Sequence, residues 1–178
     1  IFVLITTLFG FLLYSRGMEM QWMKLVHTLL GTAAAAFGSA AFNQLMEVDL
    51  DARMKRTENR PLPARRMDPL FAFGVGWVLA AIGIIHLAAQ VNHLTAYLAA
   101  ATVAIYVFVY TPLKRFSSVN TLVGAIPGAI PPVMGWVGGR GGFRLASVVS
   151  LRHFVFLAAS PFHCNQLAVP RGIRISRL

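Results

Sequence analysis

Apolar and polar stretches alternate along the chain in long blocks. Five apolar segments stand out: Ile1–Tyr14, Trp22–Met46, Pro69–Ala89, Leu94–Thr111 and Val119–Val137. A membrane-crossing helix needs about 20 apolar residues, so the second, third and fifth are long enough and the fourth has little to spare. The first is short. It opens directly on "IFVLITTLFGFLLYS", with no Met and no basic lead, so it reads as a truncated first membrane helix rather than a signal peptide. The fifth contains Pro127, Pro131 and Pro132, which predicts a kinked or broken helix of the kind membranes tolerate when neighbours satisfy the freed carbonyls. Segment two is crowded with small residues, "GTAAAAFGSAAFN". These let helix backbones approach closely, and plain bundle packing accounts for them.

Composition sharpens this into a class. The chain is 57% hydrophobic and 12% charged over 178 residues, whereas soluble domains carry about 25% charged residues. The expected fold is an all-α membrane protein, a multi-span transmembrane helix bundle. There is room for five or six spans and none for a second soluble domain. The formal charge of +10 could point to nucleic acid. The basic residues, however, cluster between apolar runs, which marks the loops of a membrane protein, so no nucleic-acid partner is expected. The loop after segment two carries Arg53, Lys55, Arg56, Arg60, Arg65 and Arg66, and the loop after segment four carries Lys114 and Arg115. The loop after segment three has neither Lys nor Arg, and Arg16 after segment one is balanced by Glu19. The positive-inside rule puts both basic loops on the cytoplasmic face of a bacterial inner membrane, or on the matrix face of a mitochondrial inner membrane. The single Cys164 supports neither a disulfide framework nor a metal cluster.

The most polar stretch of this oily chain is "NQLMEVDLDARMKRTENRPLP", from Asn43 to Pro63. Asn43, Glu47 and Asp51 are spaced i, i+4, i+8 and fall on one face of a helix, while Asp49 points elsewhere. Acidic groups at the edge of a membrane are costly and raise a functional hypothesis. Two carboxylates and an amide oxygen form a hard oxygen set suited to Mg²⁺, which completes its shell with water and substrate phosphates. Arg56 and Arg60 follow on the same stretch, and Lys114 and Arg115 lie on the same membrane side. Guanidinium groups match phosphate oxygens in a bidentate fashion. Metal-binding carboxylates beside cations, above a greasy cavity, describe a site for an apolar tail with a diphosphate head. A solvated, topology-setting loop is the competing account of the same charges. Among the remaining candidates, His27 and His86 lie in or beside apolar segments and could face a large cofactor-like substrate, although a satisfied bundle histidine is the readier account of each. Tyr106 and Tyr110 could line a tunnel or anchor at the interface.

At these residues the chain resembles a known family. "NQLMEVDLDARMKRTENRPLP" is similar to the first Asp-rich motif, N-x3-[DE]-x3-D, of the UbiA-type intramembrane prenyltransferases. "RTENRPLP", "YTPLKR" at Tyr110–Arg115 and "VNTLVGAIPGAIPPVMGW" at Val119–Trp136 resemble its heme-farnesylating branch. The resemblance covers about residues 1–143, the N-terminal half of the family's fold. It implies that Asn43, Glu47 and Asp51 are the catalytic Mg²⁺–diphosphate motif, with Glu47 where Asp is also common. It further implies that Arg56, Arg60, Lys114 and Arg115 grip diphosphate. The implied reaction is ionisation of farnesyl diphosphate and attack of a heme B vinyl group on the allylic cation. Water then completes the hydroxyethylfarnesyl side chain of heme O, and heme A synthase is the implied downstream partner. The lipid bilayer is the medium.

After Phe143 the resemblance stops. Residues 144–178 contain none of the six acidic residues and five of the sixteen basic ones. The family's second acidic motif is therefore missing, and this chain is expected to be inactive alone. Regrouping the tail's possible codons one base forward permits a family-like run with a long apolar helix followed by an acidic segment. The expected organisation is thus a truncated prenyltransferase domain over residues 1–143 and a frameshifted tail over 144–178. Two other readings stand beside this one: a sister prenyltransferase acting on a quinone or chlorophyll precursor, and a non-enzymatic membrane or transport protein.

Overall fold

A computed structural model of the chain describes residues 1–15, 19–113 and 120–140. Among the described residues every regular element is helical. The order is α1 (Phe2–Ser15), α2 (Trp22–Met46), the short α3 (Val48–Asp51), α4 (Pro69–Gln90), α5 (His93–Ala104), a π-helical segment (Ile105–Tyr110), α6 (Thr111–Leu113) and α7 (Asn120–Arg140). The π-helical segment and α6 prolong α5 into one apolar rod. Trp22–Met46, Pro69–Gln90 and His93–Leu113 are long and apolar enough to cross a membrane, and Phe2–Ser15 is a shorter apolar helix.

Local chemistry starts and stops these helices. Asp68 caps α4, its carboxylate accepting from Leu70 N at 2.7 Å, and Pro69 follows at the first helical position, where its missing N–H costs nothing. Asn92 caps α5 by accepting from Thr95 N at 2.7 Å and from the Thr95 hydroxyl at 2.9 Å. Its amide nitrogen also donates to Val137 O at 3.0 Å, tying the tight α4–α5 turn to α7.

The bundle is built from two close pairs, α2 on α4 and α1 on α7, with α5 against α4 and α7. The small residues of α2 act as the sequence predicts. A methyl placed on Gly38 would lie 2.6 Å from Ala80 N, and one on Gly83 would lie 2.5 Å from Ala35 N. Backbone therefore meets backbone, and the attraction is van der Waals packing without side chains between. Leu87, Ala96, Ala99 and Met134 form the central core. The outer surface stays greasy: Leu30, Phe37, Phe71, Val78, Ile82 and Ile85 are all exposed. So wide an apolar surface is at home in lipid rather than water.

Of the two forms expected for the fifth segment, kinked or broken, the broken one is not what it adopts. Instead of breaking, α7 runs as one helix from Asn120 to Arg140 through Pro127, Pro131 and Pro132. Proline's fixed φ is compatible with helix, and its penalty comes from lost donors and ring crowding. Pro131 and Pro132 are buried against the bundle, where packing holds the helix together. The rings still leave a mark, because a proline has no N–H for the carbonyl four residues back. Pro131 and Pro132 release the carbonyls of Pro127 and Gly128 from the ladder.

Candidate functional site

The acidic motif sits where α2 runs out. Helix α2 ends at Met46, and Glu47 relaxes to φ −104°, ψ 10° before α3 resumes. The α-type hydrogen bonds continue through this flattening, with Glu47 N donating to Asn43 O at 3.0 Å and Asp51 N to Glu47 O at 2.8 Å. Asn43, Glu47 and Asp51 consequently stack on one face as their spacing predicts, and Asp49 is exposed. Glu47 and Asp51 are only 7% and 5% exposed, which is unusual for carboxylates and requires partners.

Those partners are present. The Asn43 amide nitrogen donates to Glu47 Oε2 at 3.1 Å. On its other side, Asn43 Oδ1 lies 3.3 Å from the hydroxyl of Thr111, which is 2.8 Å from Tyr106 O. Asp51 Oδ2 accepts from Arg60 Nη1 at 2.7 Å in an ion pair. The loop after α3 makes this possible by turning back on itself. Thr57 donates its hydroxyl to Asp51 O at 2.9 Å, and Arg60 N donates to Thr57 O at 3.0 Å. Of the four predicted cations, Arg60 is brought to the acidic face. Arg56 is exposed and makes no ion pair among the described residues. Lys114 and Arg115 lie outside the described residues.

Below the acidic face lies a cavity of about 290 Å³. Its wall on α2 runs from Thr32 through Ala35, Ala36 and Ser39 to Ala40, one turn short of Asn43. The opposite wall is Ala99, Thr102, Val103, Tyr106 and Tyr110 on the α5 rod, with Gly124, Pro127, Gly128, Pro131 and Met134 of α7. The lining is overwhelmingly apolar. Tyr106 and Tyr110 line the upper cavity, their rings stacked 5.2 Å apart at 22°. The π-helical segment shifts the register there, so that Thr111 N bonds Tyr106 O five residues back. Such segments recur at functional sites.

Residues able to hold a divalent cation are Glu47 and Asp51, with Asn43 as a possible amide-oxygen donor. Among the described residues no group of three or more His, Cys, Asp or Glu converges on one point. The donor set therefore supplies two carboxylates, which matches a cation that draws its remaining ligands from water and phosphate. In this arrangement Asn43 turns its amide nitrogen to Glu47, and Arg60 occupies Asp51.

His27 and His86 lie elsewhere. His27 Nδ1 and His86 Nε2 are 3.2 Å apart, joining α2 to α4. His27 is sixteen residues before Asn43, about 24 Å along the helix. The two rings satisfy each other at the far end of the bundle. Thr111 and Thr57 were not singled out by sequence reasoning. A Thr before Pro112 and a Thr beside Arg56 carry no distinctive spacing, and only the π-helical offset and the returning loop give them their contacts.

Comparison with known proteins gives one consistent answer. A model described as the UbiA prenyltransferase family matches residues 3–171. The chain is 43% identical over 143 residues to the protoheme IX farnesyltransferase of Anaeromyxobacter dehalogenans (strain 2CP-C), covering 76% of this chain and 48% of that protein. It is 46% identical over 149 residues to that of Sorangium cellulosum (strain So ce56), covering 80% and 53%. The chain thus spans about half the length of these curated relatives. In fold it is similar to the apo structure of a UbiA homolog from Aeropyrum pernix K1, with a TM-score of 0.69 and 20% identity over 88% of this chain and 60% of that one.

Proposed function

The chain belongs to the UbiA prenyltransferase family, and from that premise we propose that it carries the diphosphate-binding part of an enzyme that farnesylates heme B to heme O. The proposal rests above all on one observation: two buried carboxylates, Glu47 and Asp51, stand one and two helical turns beyond Asn43, which itself follows by one turn the last α2 residue lining an apolar cavity. An isoprenoid diphosphate has the complementary shape, a greasy tail and a highly charged head. The kinship with proteins named protoheme IX farnesyltransferase favours farnesyl diphosphate as donor and heme B as acceptor, with heme A synthase as the downstream consumer of heme O. The setting is a bacterial inner membrane, or a mitochondrial inner membrane as the alternative. The basic loop holding Arg60 then faces the cytoplasm or matrix.

In this reading Glu47 and Asp51 hold Mg²⁺ together with the diphosphate, and Arg60 turns from Asp51 to the phosphate oxygens. Lys114 and Arg115 follow Leu113 closely and add charge on the same side, as does Arg56. Mg²⁺, when bound, supplies charge to stabilise the departing diphosphate. Asn43 orients Glu47 through its amide. The C–O bond to the diphosphate breaks, the allylic carbon bonds to the terminal carbon of the heme vinyl group, and water adds to the carbocation left on the inner vinyl carbon with loss of a proton. Tyr106, Tyr110 and the apolar wall exclude water until the carbon–carbon bond has formed. We also propose that residues 144–178 are read out of frame, so that the second acidic motif is encoded but not expressed.

The test is binding of farnesyl thiodiphosphate, which does not ionise readily, to the purified chain in detergent. Binding is expected to require Mg²⁺. It should weaken at least about tenfold, or roughly 1.4 kcal/mol, in Glu47→Gln and in Asp51→Asn, and be unchanged in Asp49→Asn. Equal binding with a chelator present, and no loss in either variant, refutes the site. The acceptor is tested on a frame-restored protein with heme B and farnesyl diphosphate. Heme O is the expected product, and a prenylated quinone precursor in its place overturns the choice of acceptor.

A further inference from the structure

The cavity beyond the acidic face has a deep end of buried residues and one unusual wall position. Its deep end is formed by Thr32, Ala99 and Met134, all almost completely buried, at 3%, 2% and 2% exposure. Along α7 the cavity extends from Gly124, near the level of Tyr110, to Met134. That is ten residues, or about 15 Å of helix.

Two glycines sit on this wall and are not equivalent. A methyl built on Gly124 would lie 2.6 Å from Tyr110 Cε2, so Gly124 is held small by the tyrosine. A methyl built on Gly128 meets no described atom within 4 Å. Gly128 is exposed and lines the cavity. No packing against the described residues therefore explains the missing side chain at 128, and helix propensity disfavours glycine there by about 1 kcal/mol relative to alanine. On the α7 wall the open space beside Gly128 lies between the level of Gly124 and that of Met134.

We infer that Gly128 sets the length of prenyl chain the cavity accepts, by leaving open the space between the upper cavity and its deep end at Thr32 and Met134. The inference rests on the proposed function, since it assigns the cavity to the tail of a prenyl diphosphate. Its size follows from the helix rise. Gly128 lies four residues from Gly124, about 6 Å of the roughly 15 Å depth. A branched side chain at 128 closes the cavity at about two-fifths of its depth. If three isoprene units fill the full depth, about one remains accommodated. Farnesyl is then excluded, geranyl is impaired, and the five-carbon dimethylallyl group still fits.

The experiment compares Mg²⁺-dependent binding of dimethylallyl, geranyl and farnesyl thiodiphosphates to the purified chain and to Gly128→Leu. Thermal unfolding in the same detergent verifies that the variant folds. The wild-type chain should bind farnesyl thiodiphosphate tightest. Gly128→Leu should lose at least about tenfold on farnesyl while keeping dimethylallyl within about twofold. Gly128→Ala, which adds one methyl and improves helix propensity, should shift the preference the same way by a smaller factor, and it decides the matter should the leucine variant not fold. If the wild type binds farnesyl thiodiphosphate and the Gly128 variants bind it equally well, the assignment of Gly128 is wrong and the proposed site stands. A uniform loss across all three ligands also overturns it, because that is distortion rather than length selection. If the wild-type chain binds none of the three, the proposed function itself falls, and this inference with it.

Discussion

Removing the Arg60 guanidinium probes the acidic face most directly. Arg60→Ala strips Asp51 of its 2.7 Å partner and leaves a carboxylate that is 93% buried on its side chain, while Arg60 itself is 40% exposed. Breaking a fully buried ion pair costs about 3–5 kcal/mol, and an exposed pair contributes about 0.2–1 kcal/mol. With one partner buried and the other half in solvent, the expected loss lies between, at about 1–2 kcal/mol. The Thr57 hydroxyl does not replace the lost charge, because it bonds the Asp51 main-chain carbonyl rather than its carboxylate. Asp51→Asn removes the stranded charge, so adding it to Arg60→Ala should recover about half of the loss. The assay is a double-mutant cycle on unfolding of the purified chain in detergent, with a coupling energy of about 1 kcal/mol expected. Ligand binding supplies a sign test. Freed from Arg60, Asp51 should bind Mg²⁺ alone more tightly in Arg60→Ala, whereas inorganic diphosphate with Mg²⁺ should bind more weakly for want of its guanidinium. Additive stability effects within about 0.3 kcal/mol, or both affinities moving the same way, would refute the pairing as the resting state of the site.

Three further outcomes follow from the geometry. Gly83→Val forces a side chain against Ala35 N, 2.5 Å from where its Cβ must sit, and overpacking backbone against backbone should cost about 3 kcal/mol or more; a melting temperature within error of wild type would contradict the close α2–α4 contact. His27→Leu leaves the His86 ring nitrogen without its 3.2 Å partner, for a loss of about 1 kcal/mol with Mg²⁺–diphosphate binding unchanged; a binding loss comparable to that of Glu47→Gln would return the histidines to the site. Sequencing the gene across codon 143 should show a one-base displacement of frame, whereas an uninterrupted high-quality read in the present frame sinks that proposal.

The face carrying the motif was readable from spacing because a helix repeats its face every 3.6 residues. Asn43, Glu47 and Asp51 needed only that period, and the flattening at Glu47 did not disturb it. The apolar segments were readable for the same kind of reason, since length and hydropathy are local properties. What escaped was whatever depends on a return of the chain. Arg56 and Arg60 look alike as cations four residues apart, yet only the fold of the loop, fastened by Thr57, decides that Arg60 meets Asp51. Thr111 escaped because the π-helical segment displaces it by one residue from where an α-helix would leave it. The choice between a kinked and a broken α7 stayed open in the sequence because proline's local cost is readable and the compensating burial of Pro131 and Pro132 is not. His27 and His86 are fifty-nine residues apart, and no local pattern announces that they meet.

The rotation of α2 is what joins fold to site. Its contacts with α4 fall at Gly31, Ala35 and Gly38, and each is followed at once by a cavity residue: Thr32, Ala36 and Ser39. One residue is about 100° of helix rotation, so the α4 contact and the cavity wall are adjacent faces of a single rod. The cavity face continues through Ala40 and Asn43 to Glu47. Gly31, Gly38 and Gly83 thus do more than permit close packing. Their close approach to the neighbouring backbone sets how α2 sits against α4, and Asn43 and Glu47 lie on the continuation of the α2 face that lines the cavity. A slip of one residue would turn the carboxylate face by a full adjacent sector, away from the tyrosines of the α5 rod. In the proposed function, the apolar tail and the charged head of a prenyl diphosphate would thereby be addressed by consecutive turns of the same helix face.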